Sequence, residues 1–379
     1  MKRTSCRFWK AGAALLAWMF FSHMALIAQT PGPSSKSEVL GVWSHPGFFG
    51  TDEREATKKI RATLDDYVQS GINTVILLIK GTNGYVYYQS RIGTKDPAFA
   101  WDFFGVFLKE ARARNITVHP WFCVFNEGAI AGEVRRHPEW LIRSPEGEMV
   151  GEVNPALPEV RAYEISLMIE ILKQYPVDWV HLDYIRFPSS PREVYFSWDP
   201  RTRALFKDHA GLDPIEMKAR DSGNIMWNEW IEWNAGHVTA FVRELKAEVA
   251  KLDRPVKISA AVFPSADEAK VLIGQDWPRW VKEGWIDMLC PMLYTNHSGF
   301  FEKYTRRAVE VGRGKSLVCP GIGIGTSHNQ NTPQGMLDQM TLSRKLGGDG
   351  VIFFSSASLT ADFLKKLKET RAPVPGVNK

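Results

Sequence analysis

Eight short apolar runs, each separated from the next by a stretch of helical character, constrain this chain more than any single residue does. The runs are Leu40–His45, Thr74–Lys80, Thr117–Asn126, Trp179–Phe187, Lys257–Phe263, Asp287–Thr295, Ser316–Gly323 and Gly350–Ser355. Between them lie helical patterns such as 54–70, followed by Gly71, and 103–114, followed by Asn115. Gly or Asn in that place stops a helix by taking up the left-handed conformation. Strands that alternate with helices build parallel sheets, and eight repeats is the count of a (β/α)8 barrel. An open doubly wound sheet is the competing arrangement, but no glycine-rich phosphate turn follows the first run. The expected fold is therefore α/β, a (β/α)8 TIM barrel over residues 39–371 with a long helical insertion, 189–255, between the fourth and fifth strands. Trp227, Trp230 and Trp233 recur there at a helical spacing, which suits core packing or a binding face over the barrel mouth.

The N-terminus has the form of an export signal. Lys2, Arg3, Arg7 and Lys10 precede an apolar stretch from Ala11 to Ile27, and Ala28 offers a small residue at a cleavage point. A retained anchor is the alternative, because the apolar stretch approaches the length of a bilayer span. The expected organisation is a signal peptide at 1–28, a linker at 29–38, the barrel, and a tail at 372–379. Most of the formal charge of +5 sits in the signal. The remaining near-neutral chain gives no electrostatic case for nucleic acid, and no stable membrane insertion is expected once the signal is removed. Cys123, Cys290 and Cys319 each lie in an apolar run, as buried thiols do, and no cysteine–histidine spacing suits zinc.

Chemistry in a barrel enzyme gathers at the C-terminal ends of the strands. The fourth run reads Asp178-Trp179-Val180-His181-Leu182-Asp183-Tyr184-Ile185-Arg186-Phe187-Pro188, so His181 and Asp183 share one face by the period of two. A carboxylate there is costly unless it is used, although Asp183 also suits a turn-capping role. Other strand ends carry Trp43 and His45, Lys80, Asn126 and Glu127, and Tyr294. Single scattered histidines do not make a metal site, and no GxSxG elbow is present. Neither a metal nor another cofactor is expected. Carboxylates among tryptophans and tyrosines best match glycoside hydrolysis, in which one acid protonates the leaving oxygen and a second acts as base or nucleophile.

Several segments in order sharpen this picture: Gly41-Val42-Trp43, Gly71-Ile72-Asn73-Thr74-Val75, Val118-His119-Pro120-Trp121-Phe122, His181-Leu182-Asp183-Tyr184, Gln275-Asp276-Trp277-Pro278-Arg279-Trp280, Pro291-Met292-Leu293-Tyr294 and Phe353-Phe354-Ser355. From Val39 to Leu359 the chain resembles the bacterial glycosyl-hydrolase-like family 10 barrels. The resemblance implies an exported glycoside hydrolase acting on peptidoglycan glycan or a related amino-sugar polymer. Family members often carry two adjacent aspartates in the fourth-strand motif; the first matches Asp183, and Tyr184 stands at the second. Retaining barrel glycosidases place a glutamate after the seventh strand, where 321–326 has none.

The expected catalytic residues are thus Asp183 as general acid, tuned by burial and His181, with Asp276 or Glu127 as its partner. Asp276 also suits a helix cap before Trp277-Pro278, and Glu127 a solvated loop. The expected substrate-binding residues are Trp43, His45, Lys80, Trp121, Asn126, His181, Tyr184, Arg186, Trp277 and Tyr294, with core packing or barrel salt bridges as the alternatives for some. The expected partner is a polysaccharide or oligosaccharide. A non-catalytic carbohydrate-binding barrel of the cell envelope, or a structural envelope protein, is the competing function.

Overall fold

The computed structural model describes residues 38–128, 132–189 and 196–370. The leader, all of the linker but Glu38, and the tail lie outside the described residues.

Eight strand positions alternate with helices and close into a ring. The strands are β1 (Val39–Ser44), β2 (Thr74–Lys80), β3 (Thr117–Cys123), β4 (Trp179–Asp183), β5 (Lys257–Val262), β6 (Met288–Leu293), β7 in two pieces (Leu317–Val318 and Gly321–Gly323), and β8 (Gly350–Phe354). Neighbouring strands pair in parallel from β1 through β6, and β8 pairs with β1. The second piece of β7 pairs with both β6 and β8 and closes the barrel.

The helices are α1 (Glu53–Ser70), α2 (Phe103–Arg112), α3 (Pro158–Gln174), α4 (Pro200–Ala210), α5 (Ile225–Val249), α6 (Ala266–Ile273), α7 (Trp277–Lys282), α8 (Ser298–Gly312), α9 (Pro333–Leu346) and α10 (Ala361–Glu369). Local chemistry sets their ends. The Asp52 carboxylate accepts from the Glu55 N–H to start α1, and Gly71 ends it at φ 83°.

Strand alternation sorts the core into two clusters. Outward residues such as Val42, Val75, Leu77, Phe122, Val180 and Leu182 pack under the helices. Inward residues, among them Trp43, Ile76, Leu78, Trp121, Cys123, Ala261, Met288, Cys290 and Ile352, fill the barrel itself. Cys123, Cys290 and Cys319 are buried and unpaired. Burying one large apolar side chain contributes about 1.5–3 kcal/mol, so both clusters are strongly stabilising.

Between β4 and β5 the described residues form α4, a turn of 3-10 helix at Pro214–Glu216, and the 25-residue α5. Helix α5 packs on α3 and α6. Its tryptophans serve the core: Trp227 and Trp230 are buried, and Trp233 stacks on Trp230 with ring centres 5.4 Å apart. A second long connection, unmarked by the alternation of runs, joins β3 to α3 and carries an antiparallel hairpin, Leu141–Arg143 with Met149–Val153. Among the described residues, no helix is long and apolar enough to cross a membrane.

Candidate active site

Strand β4 brings Asp183 to the rim by the period of two. It pairs in register with β3, so that Trp121 stands beside His181 and Cys123 beside Asp183. The chain then bends through Tyr184 at φ 48°, a left-handed conformation that a non-glycine residue holds at a cost and that clusters at functional sites. The bend lets the Tyr184 N–H donate to Asp183 Oδ1 at 2.7 Å. Arg186 Nη1 donates to the same oxygen at 3.2 Å, and no described group hydrogen-bonds Oδ2. One carboxylate oxygen is held while the other is left for a ligand.

Arg186 is fixed in turn. Its guanidinium lies 4.2 Å from the Tyr184 ring centre and 5.1 Å from that of Phe263. Buried Gln275 clamps this loop to β5, donating to the Ile185 carbonyl at 3.3 Å and accepting from the Phe263 N–H at 2.9 Å.

Asp183 opens onto a cleft of about 860 Å³ at the C-terminal rim. His45, Trp121, Tyr184, Arg186, Phe263, Tyr294, Phe300, His328 and Phe354 are among its lining residues, and Asp183 is the one carboxylate among those described. The Tyr294 and Phe354 rings stack with centres 5.1 Å apart. Gly321 makes room beneath them, since a Cβ there would lie 3.1 Å from the Trp43 ring and 3.2 Å from Tyr294. Burial lowers the proton affinity of His45, against the pull of Asp183, so the imidazole is neutral near pH 7. Burial, with the Asp183 charge added, raises the Tyr294 hydroxyl well above its usual range and keeps it protonated. Flat apolar rings around a single acid suit the faces of sugar rings. Among the described residues, no cluster of His, Cys, Asp and Glu suits a metal ion.

The rim brings together six of the expected residues: Asp183, His45, Arg186 and Tyr294, anticipated from the strand ends, and Trp121 and Tyr184, which lie in the segments that carry the family resemblance. Other expected site residues lie elsewhere, each for a physical reason. Lys80 was expected to bind substrate and is instead fully buried outside the barrel. A register shift after Leu78 sets Lys80 opposite the outward-facing Phe122, which reverses the face that strict alternation assigns. There Lys80 Nζ pairs with Glu127 and with Glu164 Oε1, the latter at 3.0 Å, and donates to the Cys123 and Val124 carbonyls. Glu127 is therefore neither a second acid at the cleft nor a solvated loop residue, but one of two carboxylates in a sealed ion cluster.

Asp276 likewise does not line the cleft. It holds the N-cap position of α7 without making a cap bond, and lies 3.6 Å from Lys270 Nζ. Trp277 and Trp43 are both core residues, Trp43 lying under the cleft floor. His181 sits one layer below Asp183 and does not touch it. Its ring nitrogens engage Trp43 and Ser259, so it cannot tune the acid by direct contact. Asn126 is held by an antiparallel bridge to Glu152 of the hairpin, with 3.5 Å between Nδ2 and Oε1.

Glu152 is a residue that sequence reasoning missed. Burial raises its carboxyl above the usual range and the Arg186 charge pulls it back, placing a second acid within the field of the cation that holds Asp183. No strand-end pattern flags it, because the hairpin that carries it lies in a connection.

Residues 38–334 match the family described as glycosyl hydrolase-like 10. Glycosyl hydrolase YngK of Bacillus subtilis (strain 168) is 22% identical over 300 residues, covering 69% of this chain and 54% of the relative. Glycosyl hydrolase DigH of Escherichia coli O6:H1 is 28% identical over 273 residues, covering 64% of this chain and 58% of the relative. The chain thus spans little more than half the length of these curated relatives. Among solved structures, the PgaB (BpsB) glycoside hydrolase domain of Bordetella bronchiseptica superposes with a TM-score of 0.68 at 13% identity, covering 89% of this chain and 99% of that domain. At that identity the likeness concerns the fold.

Proposed function

The chain belongs to the glycosyl hydrolase-like 10 family, and on that premise we propose that it is an exported glycoside hydrolase acting on an amino-sugar-containing polysaccharide of the bacterial cell envelope, such as peptidoglycan glycan. The observation that carries this reading is Asp183, one carboxylate oxygen of which has no hydrogen-bond partner among the described residues, in an aromatic cleft at the catalytic end of a barrel. Asp183 protonates the glycosidic oxygen as the bond to the anomeric carbon breaks, and returns to the carboxylate that can activate water. Arg186 and the Tyr184 N–H hold Oδ1, fixing the carboxyl plane while Oδ2 handles the proton. Tyr294 and Phe354 supply faces for the sugar rings. Export is supported by the basic and apolar pattern of residues 1–28.

Incubation of the purified protein with peptide-free glycan strands and with chitooligosaccharides, followed by mass spectrometry, tests this. Shortened products from the parent protein and none from Asp183→Asn are the expected result. A second reading, a non-catalytic carbohydrate-binding barrel, is favoured by the single carboxylate among the described lining residues. It would prevail if the parent protein bound these glycans and cleaved none.

A further inference from the structure

We propose that the indole N–H of Trp121 selects the substrate by donating to the carbonyl oxygen of a sugar 2-acetamido group bound beside Asp183. The proposal rests on the cleft's being a carbohydrate site, and adds the group that it recognises.

Trp121 borders the cleft, is only 3% exposed, and its Nε1 is buried with no hydrogen-bond partner. A buried donor left unpaired is costly, and native structures rarely leave one without a reason. Two other described tryptophans, Trp230 and Trp277, share this condition but lie in the core away from the cavity. Beneath the floor, Trp43 Nε1 is satisfied by His181, and in the helical layer Trp280 Nε1 is satisfied by Thr239. Trp121 is thus the one tryptophan among the described residues lining the cleft, and its donor is unpartnered.

Its surroundings narrow the acceptor. Leu78 lies beside it in register on β2, and Cys123 follows two residues along on the same inward face. The His45 ring stands edge-on, 5.0 Å away. Burial lowers the proton affinity of that imidazole and keeps the Cys123 thiol protonated, and the guanidinium that lines the cleft, Arg186, is already paired with Asp183. A sugar hydroxyl would bring its own hydrogen into a corner where Leu78 and Cys123 accept poorly and the His45 imidazole is the one good acceptor. An acetamido group brings a carbonyl that only accepts, and a methyl that packs on Leu78 and Cys123.

Binding of N,N′,N″,N‴-tetraacetylchitotetraose and of cellotetraose, both neutral and β-1,4-linked, tests the inference by calorimetry. The measurement uses Asp183→Asn, to prevent turnover, and the same protein carrying Trp121→Phe. Phenylalanine keeps a ring and removes the donor. The expected result is a preference of about tenfold or more for the acetylated ligand, reduced to within about twofold by Trp121→Phe through weaker binding of that ligand alone. No preference in the Asp183→Asn parent, binding of neither ligand, or a preference that survives Trp121→Phe would each overturn it. Cleavage by the unsubstituted protein is scored separately. Discrimination without cleavage sinks the enzymatic reading and leaves this one standing, and cleavage without discrimination does the reverse.

Discussion

Trp43 Nε1 donates a 3.2 Å hydrogen bond to His181 Nε2, crossing the inside of the barrel from β1 to β4 one layer beneath Asp183. An indole nitrogen can only donate, so His181 must accept at Nε2 and carry its hydrogen on Nδ1. Nδ1 lies 2.9 Å from Ser259 Oγ, which lies 3.0 Å from His119 Nδ1. Ser259 accepts from His181 and is free to donate to His119, and one donor at Trp43 orders the chain. Trp43→Phe leaves His181 Nε2 buried and unpaired. Its expected cost is about 1–3 kcal/mol of unfolding free energy, read by urea denaturation.

The same two histidines make stability depend on pH. Burial pushes His119 from the ordinary 6.5 to about 3, and lowers His181 well below 6.5; Lys257 and the neighbouring imidazole add to these shifts. In that interval the unfolded chain binds protons that the folded chain refuses. Their stabilising contribution is full above pH 6.5 and is lost as pH falls towards the folded values, with a slope of up to about 1.4 kcal/mol per pH unit for each ring. Glu164, raised by burial, opposes this trend. The informative quantity is therefore the difference between the parent and His119→Gln, which should lose part of the acid-side slope in urea titrations between pH 7.5 and 5.

Around Lys80, two carboxylates face one ammonium in a site sealed from water. Burial alone would lower the affinity of Lys80 for its proton, but Glu127 and Glu164 raise it above the usual value. Burial raises Glu164 well above the carboxylate range, against the pull of Lys80 and with the Glu127 charge adding to it, which favours the protonated form of that acid. Lys80→Met removes the cation and is expected to destabilise the fold by about 3–5 kcal/mol. Glu164→Gln mimics the protonated acid and should stay within about 1 kcal/mol of the parent. Thermal and urea unfolding of the two variants, compared side by side, check the contrast.

Asp183→Asn keeps the shape of the side chain and the hydrogen bond from the Tyr184 N–H, while removing the acid. Turnover of a cleaved glycan is expected to fall by roughly 10²–10⁴-fold with binding largely retained, which steady-state kinetics and calorimetry together resolve.

Much of the architecture was readable from local pattern. The eight runs fall on the eight strand positions of the ring, although the seventh is broken into two pieces. Period-two spacing placed His181 and Asp183 on the same inward face, and position at a strand end placed His45 and Tyr294 where the cleft forms. The same rule failed at Lys80, because one register irregularity reverses the facing of the residues that follow it. It gave no warning of Glu152, whose position depends on a hairpin folding back to pair at Asn126.

The sequence by itself determined the alternation of strands and helices, the facing of side chains along regular strands, and the gathering of polar residues at one end. These follow from backbone periodicity and side-chain polarity, which act over a few neighbouring residues. Only the tertiary structure decided which of those polar residues meet the cleft. It sent Lys80 and Glu127 into a buried ion cluster, left Asp276 near Lys270, and placed Trp43 and Trp277 in the core. A side chain's final partner is set by chain segments brought close through closure of the barrel, and local spacing carries no record of them.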